Sequence, residues 1–75
     1  MTLEAAFGHV IKKIRTEKGL TQDALSVASN LDRSFISQLE CGVKQPSLIT
    51  IFQLAKALQV SPAHIIEAVE ALYNQ

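Results

Sequence analysis

The amino-acid sequence predicts an all-α fold, a compact five-helix bundle that forms one domain over residues 1–75. Apolar residues recur at the helical period in every segment, and N-cap residues stand at short intervals between the segments. Three glycines and two prolines are too few for a turn-rich β fold. A chain of 75 residues is also shorter than most domains, so no second domain is expected.

The first helix is predicted from about Leu3 to Lys18, after which Gly19 can take the left-handed conformation that ends a helix. Its apolar residues recur on one face, and the charged residues between them fall on the opposite side. The apolar face consists of Leu3, Phe7, Val10, Ile11 and Ile14.

Thr21 is the predicted N-cap of a short second helix over residues 22–29, in which Leu25 and Ala28 face inward. Asn30 follows, and asparagine is among the few residues other than glycine that readily adopt a positive φ. A turn of three or four residues therefore joins this helix to the next. Two short helices with a tight turn between them indicate a helix-turn-helix.

Asp32 is the predicted N-cap of a third helix, from Arg33 to about Cys41, and Gly42 ends it. An advance of about 100° per residue divides this helix into an apolar face and a polar face. A polar face of this kind is ordinary on a short helix, but here it lacks the lysines typical of a merely solvated surface. Its side chains suit the recognition of base edges in a DNA major groove. They are Arg33, Ser34, Ser37 and Gln38.

Ser47 and the Ser61-Pro62 pair predict the starts of the fourth and fifth helices. The core stripe of the fourth helix is predicted to be Leu48, Ile51, Leu54, Ala55 and Leu58. The apolar residues of the fifth helix are Ile65, Ile66, Val69, Leu72 and Tyr73.

Charge and residue chemistry exclude several classes of function. Seven basic and seven acidic residues leave no net charge, but residues 9–44 hold six basic against four acidic residues, which suits contact with phosphates. One cysteine excludes an internal disulfide, and Cys41, His9 and His64 lack the spacing of a zinc site. We therefore expect no enzyme, no metal and no cofactor. We also expect no membrane span, and the unpaired thiol fits the cytoplasm.

Three stretches of the sequence resemble the lambda-repressor-like (Xre-type) helix-turn-helix family. They are FGHVIKKIRTEKGLTQ, DALSVASNLDRSFISQLECG and QPSLITIFQLAKALQVS, within the run from Phe7 to Ile66. Any one piece would be weak, but the combination of KG-T-Q, S-x-LE-x-G and PS before LAKAL-x-V is specific. Within the family, the short length and the SNLDRSFIS segment resemble the controller proteins of restriction–modification systems.

The resemblance implies that the second and third helices bind double-stranded DNA. The positions that match base-reading residues are Arg33, Ser34, Ser37 and Gln38. Those that match contacts to the DNA backbone are Arg15, Gln22, Phe35, Lys44 and Gln45. Two interpretations of Phe35 stay open, because this position can belong to the core or lie against the DNA.

The resemblance also implies an ion pair between Arg15 and Glu40 that locks the third helix against the first. The alternative is two separate surface charges. Many family members carry a basic residue at the position of Cys41, so a phosphate contact is lost there. The thiol is either a redox switch or an inert, semi-buried group, and we favour the second interpretation.

Apolar residues beyond the family's core predict a two-fold homodimer. They are Ile49, Phe52, Ile65, Val69, Leu72 and Tyr73. Burial of each such side chain is worth roughly 1.5–3 kcal/mol, and a monomer of this length has little to cover them with. The alternative is that they cover the back of the monomer's own core. A dimer would place two third helices about 34–36 Å apart, one turn of DNA.

These features predict a sequence-specific transcriptional regulator that acts as a homodimer on a palindromic operator, as the controller of a restriction–modification system would. Repression requires only an occupied promoter, whereas activation would also require contact with RNA polymerase. The alternative function is an antitoxin or adaptor, a protein-interaction module with the same fold.

Overall fold

The computed structural model describes residues 1–75 and contains five α-helices and no strand. The helices are α1 (Leu3–Glu17), α2 (Gln22–Ser29), α3 (Arg33–Glu40), α4 (Leu48–Leu58) and α5 (Pro62–Tyr73). The all-α prediction is therefore confirmed. The observed ends of α1 and α3 each fall one residue before the predicted ends.

Side-chain caps begin four of the five helices. Each cap hydroxyl accepts a hydrogen bond from the backbone N–H three residues further on, which satisfies one of the donors that a first helical turn leaves unpaired. These caps are Thr2, Thr21, Ser47 and Ser61. Asp32 stands at the corresponding position before α3, but its side chain makes no capping bond, contrary to the prediction.

The turn between α2 and α3 is short and is closed by two hydrogen bonds between the same pair of residues. Asn30 ends α2 with a φ of 59°, the predicted left-handed conformation. The hydroxyl of Ser26 donates a hydrogen bond to the carbonyl oxygen of Leu31, and the N–H of Leu31 donates one to the carbonyl oxygen of Ser26. These bonds hold the first residues of α3 at a defined place beside α2.

Thirteen apolar residues from all five helices form one buried cluster. Helix α1 contacts α3 and α5, while α2 contacts α3 and α4, so α3 is held between α1 and α2. The cluster comprises Ala6, Phe7, Val10, Ile11, Ile14, Leu25, Ile36, Leu39, Leu54, Ala55, Leu58, Ile65 and Val69.

Three residues on the predicted apolar faces of the helices are exposed, Leu3, Ala28 and Leu48. Ala28 lies on the surface, and Ser29 is buried in its place because it follows Leu25 by about one turn, on the same side of α2. The hydroxyl of Ser29 has no hydrogen-bond partner. Leu48 opens α4 beyond the edge of the core and is 70% exposed, whereas Thr50 is buried with its hydroxyl beside that of Ser47.

A glycine brings α1 against the end of α3. A Cβ atom at Gly8 would overlap the carbonyl oxygen of Leu39 and would lie 2.7 Å from that of Glu40. Any side chain at this position would therefore push the two backbones apart. Gly8 was not among the residues predicted to matter, because the need for glycine arises from a neighbour far along the chain.

Candidate DNA-binding surface

The polar face of α3 points outward. Arg33, Ser34 and Gln38 are exposed and Ser37 is half-buried, while the opposite face contributes Ile36 and Leu39 to the core. No other part of the chain covers the first three side chains. The division of this helix into two faces, predicted from its sequence, is thus the arrangement that the structure has.

The C-terminal end of α3 is held by a buried arginine. Nε of Arg15 donates to Oε2 of Glu40 at 2.7 Å, and Nη2 donates to Oε1 at 3.0 Å. Nη1 donates to the carbonyl oxygen of Leu20 at 2.8 Å. The side chains of Arg15 and Glu40 are 10% and 3% exposed. The predicted pair is therefore present.

Three nitrogens of Arg15 are bonded inside the protein and its side chain is largely buried, so its first role is to hold α3, and contact between Arg15 and the DNA backbone stays a prediction. The hydrogen bond to Glu40 raises the pKa of Arg15 above its ordinary value; desolvation opposes this shift and the charge of Glu40 adds to it. A raised folded-state pKa stabilises the fold at every pH below the unfolded value, so this contribution is lost only in strong alkali.

Gln22 joins the same cluster. Its Nε2 donates a hydrogen bond to Oε1 of Glu40 at 3.0 Å, so Glu40 links the first residue of α2 to α1. One amide hydrogen of Gln22 is used in this bond, and the side chain remains partly exposed. Contact between Gln22 and a phosphate stays a prediction.

The N-terminal end of α3 is bound differently. Nε of Arg33 lies 3.0 Å from Oδ1 of Asp23 on α2, and the two side chains are 60% and 79% exposed. Asp23 was not among the predicted site residues. The pairing could not be read from helical periodicity, because the turn between α2 and α3 decides which residues of the two helices meet.

The residues after α3 are bonded to its last turn. The N–H of Val43 donates to the carbonyl oxygen of Gln38 at 3.0 Å, which closes the C-terminal end of the helix. Lys44 and Gln45, predicted to contact phosphates, are both exposed. Cys41 is exposed as well, so the favoured interpretation of its thiol as semi-buried is wrong.

Phe35 is half-buried and packs against the core cluster. Of the two interpretations left open for this residue, the core contact is the one present in the structure. Because the side chain is only partly buried, a contact between Phe35 and DNA stays a prediction.

The residues predicted to form a dimer interface divide into two groups. Ile65 is fully buried and Val69 is 6% exposed, both in the chain's own core, and the prediction for these two residues is corrected. The other four residues have solvent-accessible surface that a partner could cover. Leu72 is half-buried, and Ile49, Phe52 and Tyr73 are exposed.

An apolar groove runs along α4 and the start of α5. Leu48, Ile49 and Phe52 are 70%, 73% and 56% exposed. The rest of the lining is Gln53, Ala55, Lys56, Val60 and Pro62. We call Leu48, Ile49 and Phe52 the α4 patch. Ile49 and Phe52 follow Leu48 by one and four positions, so the three side chains lie on the same side of α4.

The model of the helix-turn-helix family matches residues 11–65, which include all of α2 and α3. The chain belongs to the helix-turn-helix family. Like its relatives of the lambda-repressor-like (Xre) type, this helix-turn-helix protein is a DNA-binding transcriptional regulator. None of its helices is both long and apolar enough to cross a membrane.

Three relatives illustrate the match. An HTH-type transcriptional regulator of Sinorhizobium fredii, y4dJ, is 35% identical, over 88% of this chain and 86% of its own. The control protein C.BamHI of Bacillus amyloliquefaciens is 34% identical, over 81% and 76%. The crystal structure of the restriction–modification controller protein C.AhdI of Aeromonas hydrophila has a TM-score of 0.81 and 39% identity, over 83% and 94%.

Proposed function

We propose that this helix-turn-helix protein is a homodimeric regulator that recognises a palindromic operator by placing α3 of each copy in the DNA major groove. The observation that carries the proposal is the exposed polar face of α3 on a helix whose other face and C-terminal end are fixed in the fold. Arginine, serine and glutamine on that face match the donor and acceptor patterns that base pairs present.

The dimer is supported by the α4 patch. Three large apolar side chains lie side by side on α4, each more than half exposed. Contiguous apolar surface of this kind commonly marks an interface between proteins. One α3 contacts only a few base pairs, so a second copy would supply the missing affinity and specificity. Tyr73 and Leu72 on α5 are included in the proposed interface.

The likeness to the control protein C.BamHI and to the restriction–modification controller protein C.AhdI supports a more specific role, control of the genes of a restriction–modification system. Regulation would follow from occupancy of a promoter, with RNA polymerase as a further partner if the protein activates. We assign the regulator no catalysis and no cofactor, and we place it and the DNA it binds in the cytoplasm. Its described residues form one domain.

Selection of bound duplexes from a random pool, followed by footprinting, tests operator recognition. The wild-type protein should enrich an inverted repeat. A variant with Arg33→Ala, Ser37→Ala and Gln38→Ala should bind without sequence preference, whereas a control with the exposed α5 changes Glu67→Gln and Glu70→Gln should select the wild-type sequence. Unchanged selection by the first variant would overturn the proposal in favour of a protein-interaction module.

Sedimentation at micromolar concentration tests the dimer. Ile49→Asp with Phe52→Asp should give monomers. The matched control is Val27→Asp, which also places a charge on an exposed apolar residue, 85% exposed on α2, and should remain dimeric. Dimers of the double variant, or a monomeric wild-type protein, would contradict the proposed interface.

A further inference from the structure

We infer that Asp23 is a positioning residue for base recognition, whose carboxylate holds the guanidinium of Arg33 in the orientation in which Arg33 contacts its base pair. The inference rests on the proposed function, since it assigns a partner to one of the proposed base-reading side chains. It adds a specificity-determining residue on α2, the helix that does not itself enter the groove.

The contact joins two side chains whose backbones are already fixed. Asp23 lies in the first turn of α2 and Arg33 is the first residue of α3. Two hydrogen bonds between Ser26 and Leu31 hold the turn between these helices. With the backbone fixed, what can still vary is the conformation of the long Arg33 side chain. The Asp23 carboxylate, 3.0 Å from Nε of Arg33, favours those conformations that keep this contact.

The atoms involved leave the recognition group available. The contact is made by Nε, the guanidinium nitrogen nearest the main chain. The two terminal nitrogens have no hydrogen bond to the protein, in contrast to those of Arg15, which both donate within the fold. Two parallel N–H donors of an arginine are what guanine O6 and N7 accept, so a guanidinium held at Nε can present its free end to a base.

Stability does not explain the pair. With side chains 60% and 79% exposed, it is screened by water and contributes little to the free energy of unfolding. A negative charge beside the DNA-binding face also opposes phosphates, so Asp23 should lower affinity for DNA in general. A residue that weakens general binding yet orients a base-reading arginine improves the ratio of specific to nonspecific affinity.

Asp23→Asn tests the inference, with Asp32→Asn as the matched control. Asp32 is exposed, lies next to Arg33, carries the same charge and makes no capping bond. Both variants should bind duplexes of unrelated sequence more tightly because each loses a negative charge. Only Asp23→Asn should reduce the base preference at the position that Arg33 reads, by about 2- to 5-fold, the range expected for an exposed ion pair. Asp23→Glu should restore part of it.

The position in question is identified by the base preference that Arg33→Ala abolishes. In the Arg33→Ala background, Asp23→Asn should change no base preference further. The inference is overturned if Asp23→Asn keeps the full preference, if Asp32→Asn reduces it equally, or if the effect persists without Arg33. A wild-type protein that selects no sequence at all overturns the proposed function itself, which separates the two failures.

Discussion

The two ends of α3 are each bound by an arginine and a carboxylate, but in different surroundings. At the C-terminal end, Arg15 and Glu40 are almost fully buried and share three hydrogen bonds with each other and Leu20. At the N-terminal end, Arg33 and Asp23 are mostly in water. Charges attract far more strongly away from water than in it. The helix is therefore anchored at one end, and at the other it presents groups that can exchange partners.

The largest expected effect is on the anchored end. Arg15→Met leaves the Glu40 carboxylate buried without its cation, which should reduce the free energy of unfolding by about 3–5 kcal/mol. Arg33→Met, the same change at the open end, should cost less than about 1 kcal/mol. Urea denaturation at one fixed protein concentration measures both. Equal losses would show that the two ends are not energetically different.

Gly8→Ala should also weaken the anchored end. The new Cβ would overlap backbone atoms at the end of α3, and overpacking of this kind costs about 1–3 kcal/mol, more than the roughly 0.5–1 kcal/mol by which alanine favours a helix. Gly19→Ala is the control, because Gly19 has a φ of +74° but open space around it.

Two measurements together distinguish the glycine variants: the midpoint of thermal unfolding, which reports stability, and the affinity of the folded protein for its operator. Gly19→Ala should lower stability without changing operator affinity once folded, whereas Gly8→Ala should lower both because it displaces α3. A Gly8→Ala protein more stable than the wild type would contradict the close approach of α1 and α3.

At the open end, Arg33→Ala should cost about 1–3 kcal/mol of operator binding and remove the preference at one base pair, with stability almost unchanged. The reason is that the side chain is exposed and contributes to recognition rather than to the core. Fluorescence titration against operators altered at single positions measures this. An equal loss of affinity for every duplex would instead identify Arg33 as a phosphate contact.

The smallest effect is expected beyond the anchored end, at Lys44 in the loop after α3. Lys44→Ala should weaken binding to all sequences about equally and lower the salt dependence of log K by about one, since one phosphate contact is lost. Titrations at several salt concentrations measure the slope. An unchanged slope would remove Lys44 from the DNA-binding surface.

Much of the fold followed from local sequence chemistry. Thr21 and Ser61 cap helices where they were expected, and Asn30 takes the left-handed conformation. The two faces of α3 also follow from its own periodicity. Asp32 was predicted as a cap on the same basis and makes no capping bond, because residue type permits a cap but the side-chain conformation decides whether one forms.

The division between core and surface was harder to predict. Ile65 and Phe52 are both large apolar residues on amphipathic helices, yet the first is fully buried and the second is 56% exposed. Periodicity identifies a stripe on each helix but not how far the neighbouring helices extend over it. That extent decides which apolar residues remain for a partner.

Sequence by itself determined the bounds of the helices to within about one residue and the polar face of α3, because these depend on residues within a few positions of one another. It also indicated the helix-turn-helix family, through motifs combined along the chain. Tertiary structure alone decided that Gly8 must lack a side chain, that Arg33 meets Asp23, and that Leu48 stays outside the core. Each depends on how separate helices pack together, and no local sequence pattern specifies how closely or in which register two helices approach each other.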